Sequence, residues 1–362
     1  MRKYFDYNRG YGDDVLNNVI ECALELARST YEGKKAADYE DKNKEVLKGI
    51  AKYAVTGTPS EARFEADGLA CLKSPMVRNN STFRDQFNAV LAQVVTAIVP
   101  EVVNEDFERY IAEIKQVGYG DTARFQIESN DLFKVNEKAE GVRRGVDQPM
   151  YDTEFTVNAH PIEISTHIDW YPYASGTFDM GNFALKIARS FEAYIFLKAI
   201  KGMASASTNF GAAYGANGVT PTLWGTLKQR VSAANGGMNV IAIGTEIALS
   251  NVSLQGNFQV QIGEEMNKVG YLDQYLGVPI IALKNVLVPG TTNGSATLAL
   301  ADNKIYFVPV AGDKPVKIVF EGNEVAVEYD PAHTSDTRMG ITVTMRVGIS
   351  AICGAKYGTI TL

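Results

Sequence analysis

The stretch EKAEGVRRGVDQ, residues 137–148, carries charges of both signs and two glycines, and it lies between two segments in which apolar and polar residues alternate. Such alternation is typical of β-strands that bury one face. The sequence therefore predicts a long β-hairpin over Ala123–Asp169 with this charged stretch at its tip. The apolar positions of its two arms are Phe125, Ile127, Phe133 and Val135, then Phe155, Val157, Ala159, Ile162 and Ile164.

The strongest helical pattern of the chain follows this hairpin. Its apolar residues recur every four positions, at Phe183, Ile187, Phe191, Ile195 and Ala199. This spacing predicts an amphipathic helix from about Met180 to Met203, about 35 Å long at 1.5 Å per residue. A loop rich in glycine, alanine and serine, Gly202–Gly218, is expected after it.

Upstream of the hairpin the sequence is mainly helical in pattern. Pro59, Gly68 and Pro75 interrupt residues 56–80, so an extended connection is predicted there. The predicted helices are Asp14 to about Gly33, Ala36–Ala54, Ser81 to about Pro100, and Glu105–Lys115.

Downstream of the long helix a mixed α/β region is expected. Its predicted helices are Thr220–Gly236, Glu246–Leu254 and Phe258–Val269, and its predicted strands are Asn239–Ile243 and Val278–Leu283. The last third is nearly all strand, in the segments KIYFVPV, KPVKIVF, EVAVEY and MGITVTMRVGISAIC. A hairpin turn is predicted at Glu321-Gly322-Asn323.

Composition limits the class of protein. The chain has 362 residues, a net charge of −7 and an ordinary hydrophobic fraction of 46%. It lacks the apolar core of a secretory signal and any run of about 18 apolar residues, so a soluble protein made in the cytoplasm is expected. Cys22, Cys71 and Cys353 lie far apart and predict buried reduced thiols rather than a metal or dithiol site.

The absence of the common catalytic motifs argues against an enzyme. The sequence contains no P-loop, dinucleotide loop, nucleophile elbow, zincin motif or paired CxxC. The two GYGD segments, at residues 10–13 and 118–121, are interpreted as turns. An α/β enzyme with a site formed by the loop Gly202–Gly218 and the region Asn239–Leu283 is a weaker alternative, because no nucleophile, base or ligand set is recognisable.

Other titratable residues also favour structural roles. His167 and Asp169 share a strand face and permit a metal pair, but a third ligand is not in view, and His160 falls on the opposite face. His333 is expected at the surface. The adjacent Glu264-Glu265 points in two directions on a predicted helix and suits a solvated face.

Arg143-Arg144 in the charged stretch permits two interpretations. The pair could bind phosphate or nucleic acid through bidentate contacts. However, Glu137, Glu140 and Asp147 nearly cancel Lys138, Arg143 and Arg144, and a stretch of both signs favours a protein partner of mixed charge over a polyanion.

The order of these elements resembles the major capsid protein of tailed bacteriophages, the HK97-fold family. Several sequence segments also resemble those of phage capsid proteins: FQIESNDLFKV, EGVRRGVDQPMYDTEFTV, FALKIARSFEAYIF, GYLDQYLGVPIIAL, NKIYFVPV and TMRVGISAICG. The likeness runs over about Ser81–Leu362 and depends on the order of these phrases.

The resemblance implies an α+β, HK97-like capsid fold with a defined domain organisation. It places an N-terminal helical arm at 1–80, a helical segment of the peripheral domain at 81–122, and the hairpin, called the E-loop, at 123–169. The spine helix and its connection would occupy 170–217, the axial domain 218–300, and the peripheral-domain strands with the C-terminal strand 301–362.

The resemblance also implies a function without catalytic, cofactor or metal residues. Subunits would form hexamers and pentamers of an icosahedral shell around a double-stranded DNA genome; a nanocompartment shell like an encapsulin is the alternative. The chain would be a virion protein assembled in the host cytoplasm, with no membrane partner. The residues implied to contact a neighbouring subunit are Glu137, Lys138, Glu140, Arg143, Arg144, Asp147, Phe155 and Val157.

Three partners are expected besides other copies of the chain. Family members often lose an N-terminal scaffolding segment, whereas this sequence runs from Met1, so we expect a separate scaffolding protein. A portal and packaged DNA bound without sequence preference are the others. Lys134 and Lys138 lie near the tip, but no partner residue is evident, so a covalent crosslink between subunits is not predicted.

Overall fold

The computed structural model describes residues 14–31, 33, 37–98, 110–127, 132–137, 140, 148, 153–253, 270–283, 285–310, 313–322, 326–335 and 337–362. Its helices are α1 (Asp14–Tyr31), α2 (Tyr39–Val55), α3 (Glu61–Asp67), α4 (Pro75–Arg78), α5 (Ser81–Ile98), α6 (Trp170–Ser175), α7 (Met180–Ser207), α8 (Pro221–Ala234) and α9 (Glu246–Ser253).

The described strands lie between residue 112 and residue 361. They are β1 (Ala112–Val117), β2 (Ala123–Ile127), β3 (Thr153–Val157), β4 (His160–Asp169), β5 (Gly215–Asn217), β6 (Val240–Gly244), β7 (Gln274–Tyr275), β8 (Val278–Ala282), β9 (Lys304–Pro309), β10 (Val316–Glu321), β11 (Ala326–Ser335), β12 (Arg338–Ser350) and β13 (Gly358–Thr361). The predicted α+β class is confirmed, as is the order of helical segment, hairpin, long helix, mixed region and late strands.

The chain divides into two compact units. The first takes the described residues of Met1–Val103, His160–Glu192 and Gly322–Val347, and the second takes those of Asn104–Ala159, Ala193–Glu321 and Gly348–Leu362. The boundary after Glu192 falls within the long helix α7.

In the first unit, helices α1, α2 and α5 pack together through apolar faces. Five aromatic rings extend this core, with neighbouring ring centroids 5.4–6.0 Å apart: Phe83, Phe87, Trp170, Tyr173 and Phe178. Aromatic pairs at such separations stabilise by more than their burial alone.

Side chains of α2 hold the start of the long helix α7. Asn43 is buried; its Nδ2 donates to the Phe178 carbonyl at 2.7 Å, and its Oδ1 accepts from the Met180 N–H at 3.1 Å. The Tyr39 hydroxyl donates to Asp179 Oδ1 at 2.6 Å, and Asp179 Oδ1 also accepts the Asn182 N–H. Burial, with this bond to Asp179, raises the pKa of Tyr39 to about 12. The N-terminal helices are thus built into the folded subunit.

Strands β4, β11 and β12 form antiparallel pairs in the first unit, with β4 and β11 both pairing with β12. Their apolar face is buried at Ile168, Met339, Ile341 and Val343. Strands β10 and β11 do not form the predicted hairpin: among the described residues β11 pairs with β12, and β10 pairs in parallel with β1.

The second unit contains a six-stranded sheet of order β5-β13-β9-β6-β8-β7. Helices α8 and α9 contact this sheet, and Trp224 of α8 is fully buried against Tyr275 and Phe307. Thr220 caps α8 by accepting the Leu223 N–H. Strand β9, predicted among the peripheral-domain strands, pairs here with β6, so this sheet draws on residues from both sides of position 300.

Two further local predictions are wrong, and a third lies outside the described residues. Residues 61–78 are largely helical rather than extended, because Leu69, Cys71, Leu72 and Val77 are buried by folding back. The predicted helix to Lys115 ends in strand β1, because the buried strand β10 takes β1 as its partner. The predicted helix Phe258–Val269 lies outside the described residues.

Candidate subunit interface

The predicted hairpin has a short paired root. Strands β2 and β3 pair antiparallel from Ala123↔Val157 to Ile127↔Thr153. The inner face of this root packs on Val319 of β10. Strand β4, predicted to continue the second arm, pairs instead with β12. Strands β2 and β3, one from each arm, therefore anchor the hairpin in the second unit.

Val157 lies in this root. Its side chain is 4% exposed and packs with Phe125 and Val319 within the same chain. It offers no free surface to a neighbour, and the interface proposed below does not include it. Phe155, opposite Phe125 in the ladder, is 36% exposed and stays accessible.

Beyond the root, one described contact joins the two arms. The Lys134 N–H donates to Gln148 Oε1 at 2.7 Å, and Gln148 Nε2 donates to the Lys134 carbonyl at 2.8 Å. The Gln148 carboxamide thereby replaces a peptide group of the opposite strand. A side chain, not a β-ladder, thus joins the arms at this point.

The arm before the tip exposes three apolar side chains. Leu132 is 92% exposed, Phe133 58% and Val135 96%. Phe133 and Val135 were predicted on a strand, but the structure has no strand in the described part of this arm, residues 132–137. Leu132 was missed, because it breaks the alternation on which the prediction rested. Contiguous exposed apolar groups of this kind mark binding surfaces.

The charged tip is only partly described. Glu137 and Glu140 are exposed. Lys138, Arg143, Arg144 and Asp147 lie outside the described residues. On the outer face of the root, Arg124 pairs with Glu154 of the opposite strand at 3.6 Å, so charges of both signs extend from the predicted tip to the root.

The other candidate residues that the structure describes do not come together in a single site. His167 Nε2 lies 3.8 Å from Asp169 Oδ1 on one face, as predicted, and the part of the chain that the structure describes holds no group of three or more metal ligands. Residues 118–121 form a turn in which the Asp121 N–H donates to the Gly118 carbonyl. The side chain of His333, the pair Glu264-Glu265 and the first GYGD lie outside the described side chains.

The cysteines are free thiols, with Cys71 buried and Cys22 and Cys353 half-buried. Burial raises the pKa of all three, and the pKa of Cys353 reaches about 12, where Asp313 adds to the effect. A protonated thiol is a poor nucleophile, which agrees with a structural role. Among the described helices, none is long and apolar enough to cross a membrane.

Comparisons with known proteins show which sequences and structures the chain is similar to. A family model described as "SPbeta prophage-derived putative capsid protein YonB" matches residues 16–361. No curated protein matches the chain.

Several solved structures are similar at low identity. The mature capsid of bacteriophage PhiM1 is 10% identical over 71% of this chain and 86% of that chain, with a TM-score of 0.48. The capsid of cyanophage P-SCSP1u is 12% identical over 69% and 86%, with a TM-score of 0.45. A virus-like particle from Pyrococcus furiosus is 11% identical over 76% and 99%, with a TM-score of 0.44.

Proposed function

We infer the function from one premise: the chain belongs to the family of the SPbeta prophage-derived putative capsid protein YonB. The expected relationship to phage capsid proteins is thereby confirmed, and the chain is a shell-forming structural protein. We propose that it assembles into hexamers and pentamers, and that these close into an icosahedral shell around a double-stranded DNA genome.

The exposed arm of the hairpin carries this proposal. An isolated two-stranded ribbon is marginally stable in water, yet this one extends beyond its buried root with Leu132, Phe133 and Val135 exposed. A closed shell requires contacts between different surfaces of identical subunits. A second copy of the chain that covers these side chains meets both requirements.

The charged tip would set the register of this contact. Exposed ion pairs contribute roughly 0–1 kcal/mol each, so they favour one alignment over another more than they add affinity. Glu137, Lys138, Glu140, Arg143, Arg144 and Asp147 would pair with charges on the neighbour, while Phe155 and the exposed arm would supply the apolar contact. Repetition over many subunits would then multiply a modest interaction.

The built-in N-terminal helices support the proposed partners. Because Asn43 and Tyr39 hold the start of α7, removal of this segment would expose the start of that helix. We therefore propose a separate scaffolding protein. From the family membership we also propose a portal vertex, and a virion whose shell assembles in the host cytoplasm.

Substitution of the exposed arm tests the interface. Phe133→Ser combined with Val135→Ser should leave a folded subunit, since both side chains are solvent-exposed. Each lost apolar contact is worth about 1–2 kcal/mol per interface, so the subunit concentration needed for assembly should rise at least tenfold. Electron microscopy and sedimentation measure the particles.

Matched variants complete this experiment. Met76→Ser removes an apolar side chain that is 82% exposed on α4 and should assemble normally. Arg143→Glu with Arg144→Glu tests the tip, and Lys44→Glu with Lys48→Glu on α2 is its control. Wild-type yield, size and heat resistance in both hairpin variants would rule out the interface. Particles that hold an enzyme instead of DNA would favour the nanocompartment.

A further inference from the structure

Lys317 is a fully buried lysine at the root of the hairpin. Its side chain is 1% exposed, and its Nζ contacts Asp313 Oδ1 and Glu113 Oε2. The ring of Phe125 lies 5.5 Å from the same nitrogen. Burying an ammonium group costs desolvation free energy even when the group is paired. This cluster therefore differs from a surface ion pair, whose charges stay in water.

The backbone holds the three groups in fixed positions. Glu113 and Lys317 are direct partners in the parallel ladder of β1 and β10. Lys115 lies 3.7 Å from Glu113 Oε1 and so constrains the other oxygen of that carboxylate. The Gly354 N–H donates to Asp313 Oδ2 at 2.8 Å. One oxygen of Asp313 therefore faces the amine while the other faces a backbone donor.

We propose that Lys317 and Asp313 condense into an intrachain isopeptide bond, with Glu113 as the proton carrier. Glu113 takes a proton from the ammonium and passes it to Oδ1 of Asp313, and the freed Nζ attacks Cγ of the resulting neutral carboxyl. The bond from Cγ to Oδ1 then breaks, and Oδ1 leaves as water with two of the three amine hydrogens. The third stays on the amide, so the step needs no oxidant or other reactant.

Each neighbouring group has a chemical role in this step. The Gly354 N–H stabilises the negative charge that develops on Oδ2, as donors in an oxyanion hole do. Groups held together in this way react with effective molarities of about 10⁵–10⁸ M. The product replaces a buried ammonium and one carboxylate by a neutral amide, which removes part of the desolvation cost.

The bond would stabilise the root of the hairpin. It would close the turn that enters β10, the strand on which Phe125 and Val157 pack. The proposal concerns a single chain and does not depend on shell assembly, so it stands or fails separately from the proposed function.

Mass spectrometry of the denatured full-length chain tests this bond. The expected mass is lower than the sequence mass by one water molecule. Trypsin should fail to cleave after Lys317, and the peptide from Ile305 should lack fragment ions between Asp313 and Lys317. Glu113→Gln should form the bond about 10²-fold more slowly, because general acid-base catalysis contributes at least that much.

Two lysine substitutions serve as controls. Lys317→Arg keeps the cation but cannot form the amide, so it should have its full sequence mass, whereas Lys314→Arg should retain the loss of water. If Lys317→Arg fails to fold, the wild-type peptide and Glu113→Gln still decide the question. A wild-type peptide of unmodified mass, or a linkage from Lys317 to Glu113, would overturn the assignment.

Discussion

Glu192 is a half-buried carboxyl on the long helix α7, in a stretch dominated by apolar side chains. Burial raises its pKa to about 7 from an ordinary value of 4.5, while Arg189 acts in the opposite direction. The folded chain therefore binds this proton more tightly than the unfolded chain does. Between these two pKa values the free energy of unfolding must fall as the pH rises.

The substitution Glu192→Gln should remove this dependence. Above pH 7 the variant should be more stable than the wild type by about 1–3 kcal/mol, because it no longer holds a charge in a partly buried position. Urea unfolding of the unassembled subunit at several pH values measures the effect. Glu65→Gln, at an exposed position of α3, is the control. Parallel stability curves for wild type and Glu192→Gln would contradict the prediction.

The environment of Lys317, another single residue, also depends on distant parts of the chain. In the sequence it is one of two lysines in KPVKIVF, and nothing distinguishes it from Lys314. Its burial between two carboxylates follows only when β10 pairs with β1 and Gly354 reaches Asp313.

At the scale of elements, the start of helix α7 depends on a side chain from another helix. Asn43 serves as both donor and acceptor for the backbone around Asp179. Asn43→Ala would leave the Phe178 carbonyl and the Met180 N–H without these partners in a buried position. Such losses cost about 1–3 kcal/mol.

Thermal or denaturant unfolding of Asn43→Ala should show this loss. Asn18→Ala, at an exposed position of α1, controls for the higher helix propensity of alanine. Unfolding of the two variants at the same denaturant concentration would show that Asn43 does not hold the helix, and would weaken the case for a separate scaffolding protein.

The hairpin shows that alternation of apolar and polar residues does not predict which strands pair. Alternation predicted two long paired arms; in the described residues the ladder holds five residue pairs, and the Gln148 side chain joins the arms farther out. β4 has the expected alternation too, yet its partner is β12. Alternation reports that one face is buried and leaves open which strand lies alongside.

At the scale of the whole molecule, the net charge of −7 bears on how the shell would meet its genome. Non-specific DNA affinity comes mainly from phosphate neutralisation by lysine and arginine. An acidic subunit should therefore bind DNA weakly, without sequence preference, and less as salt increases.

A gel shift with two duplexes of unrelated sequence tests this expectation. At low salt, equal and weak shifts of both duplexes are expected from the free subunit, with a loss of binding as salt rises. A basic, sequence-specific DNA-binding protein serves as the positive control. A shift of one duplex at concentrations that leave the other free would contradict the prediction.

The sequence by itself determined the fold class and most elements, because these depend on which positions are apolar, and the order of elements and sequence segments indicated the family. The stripe of α7 and the continuous apolar run of β6 specify helix and strand without reference to neighbours. The tertiary structure alone decided the partners of β1, β4 and β11, the burial of Lys317 and Val157, and the exposure of Leu132. These features depend on contacts between residues far apart in the chain, and local patterns do not encode such contacts.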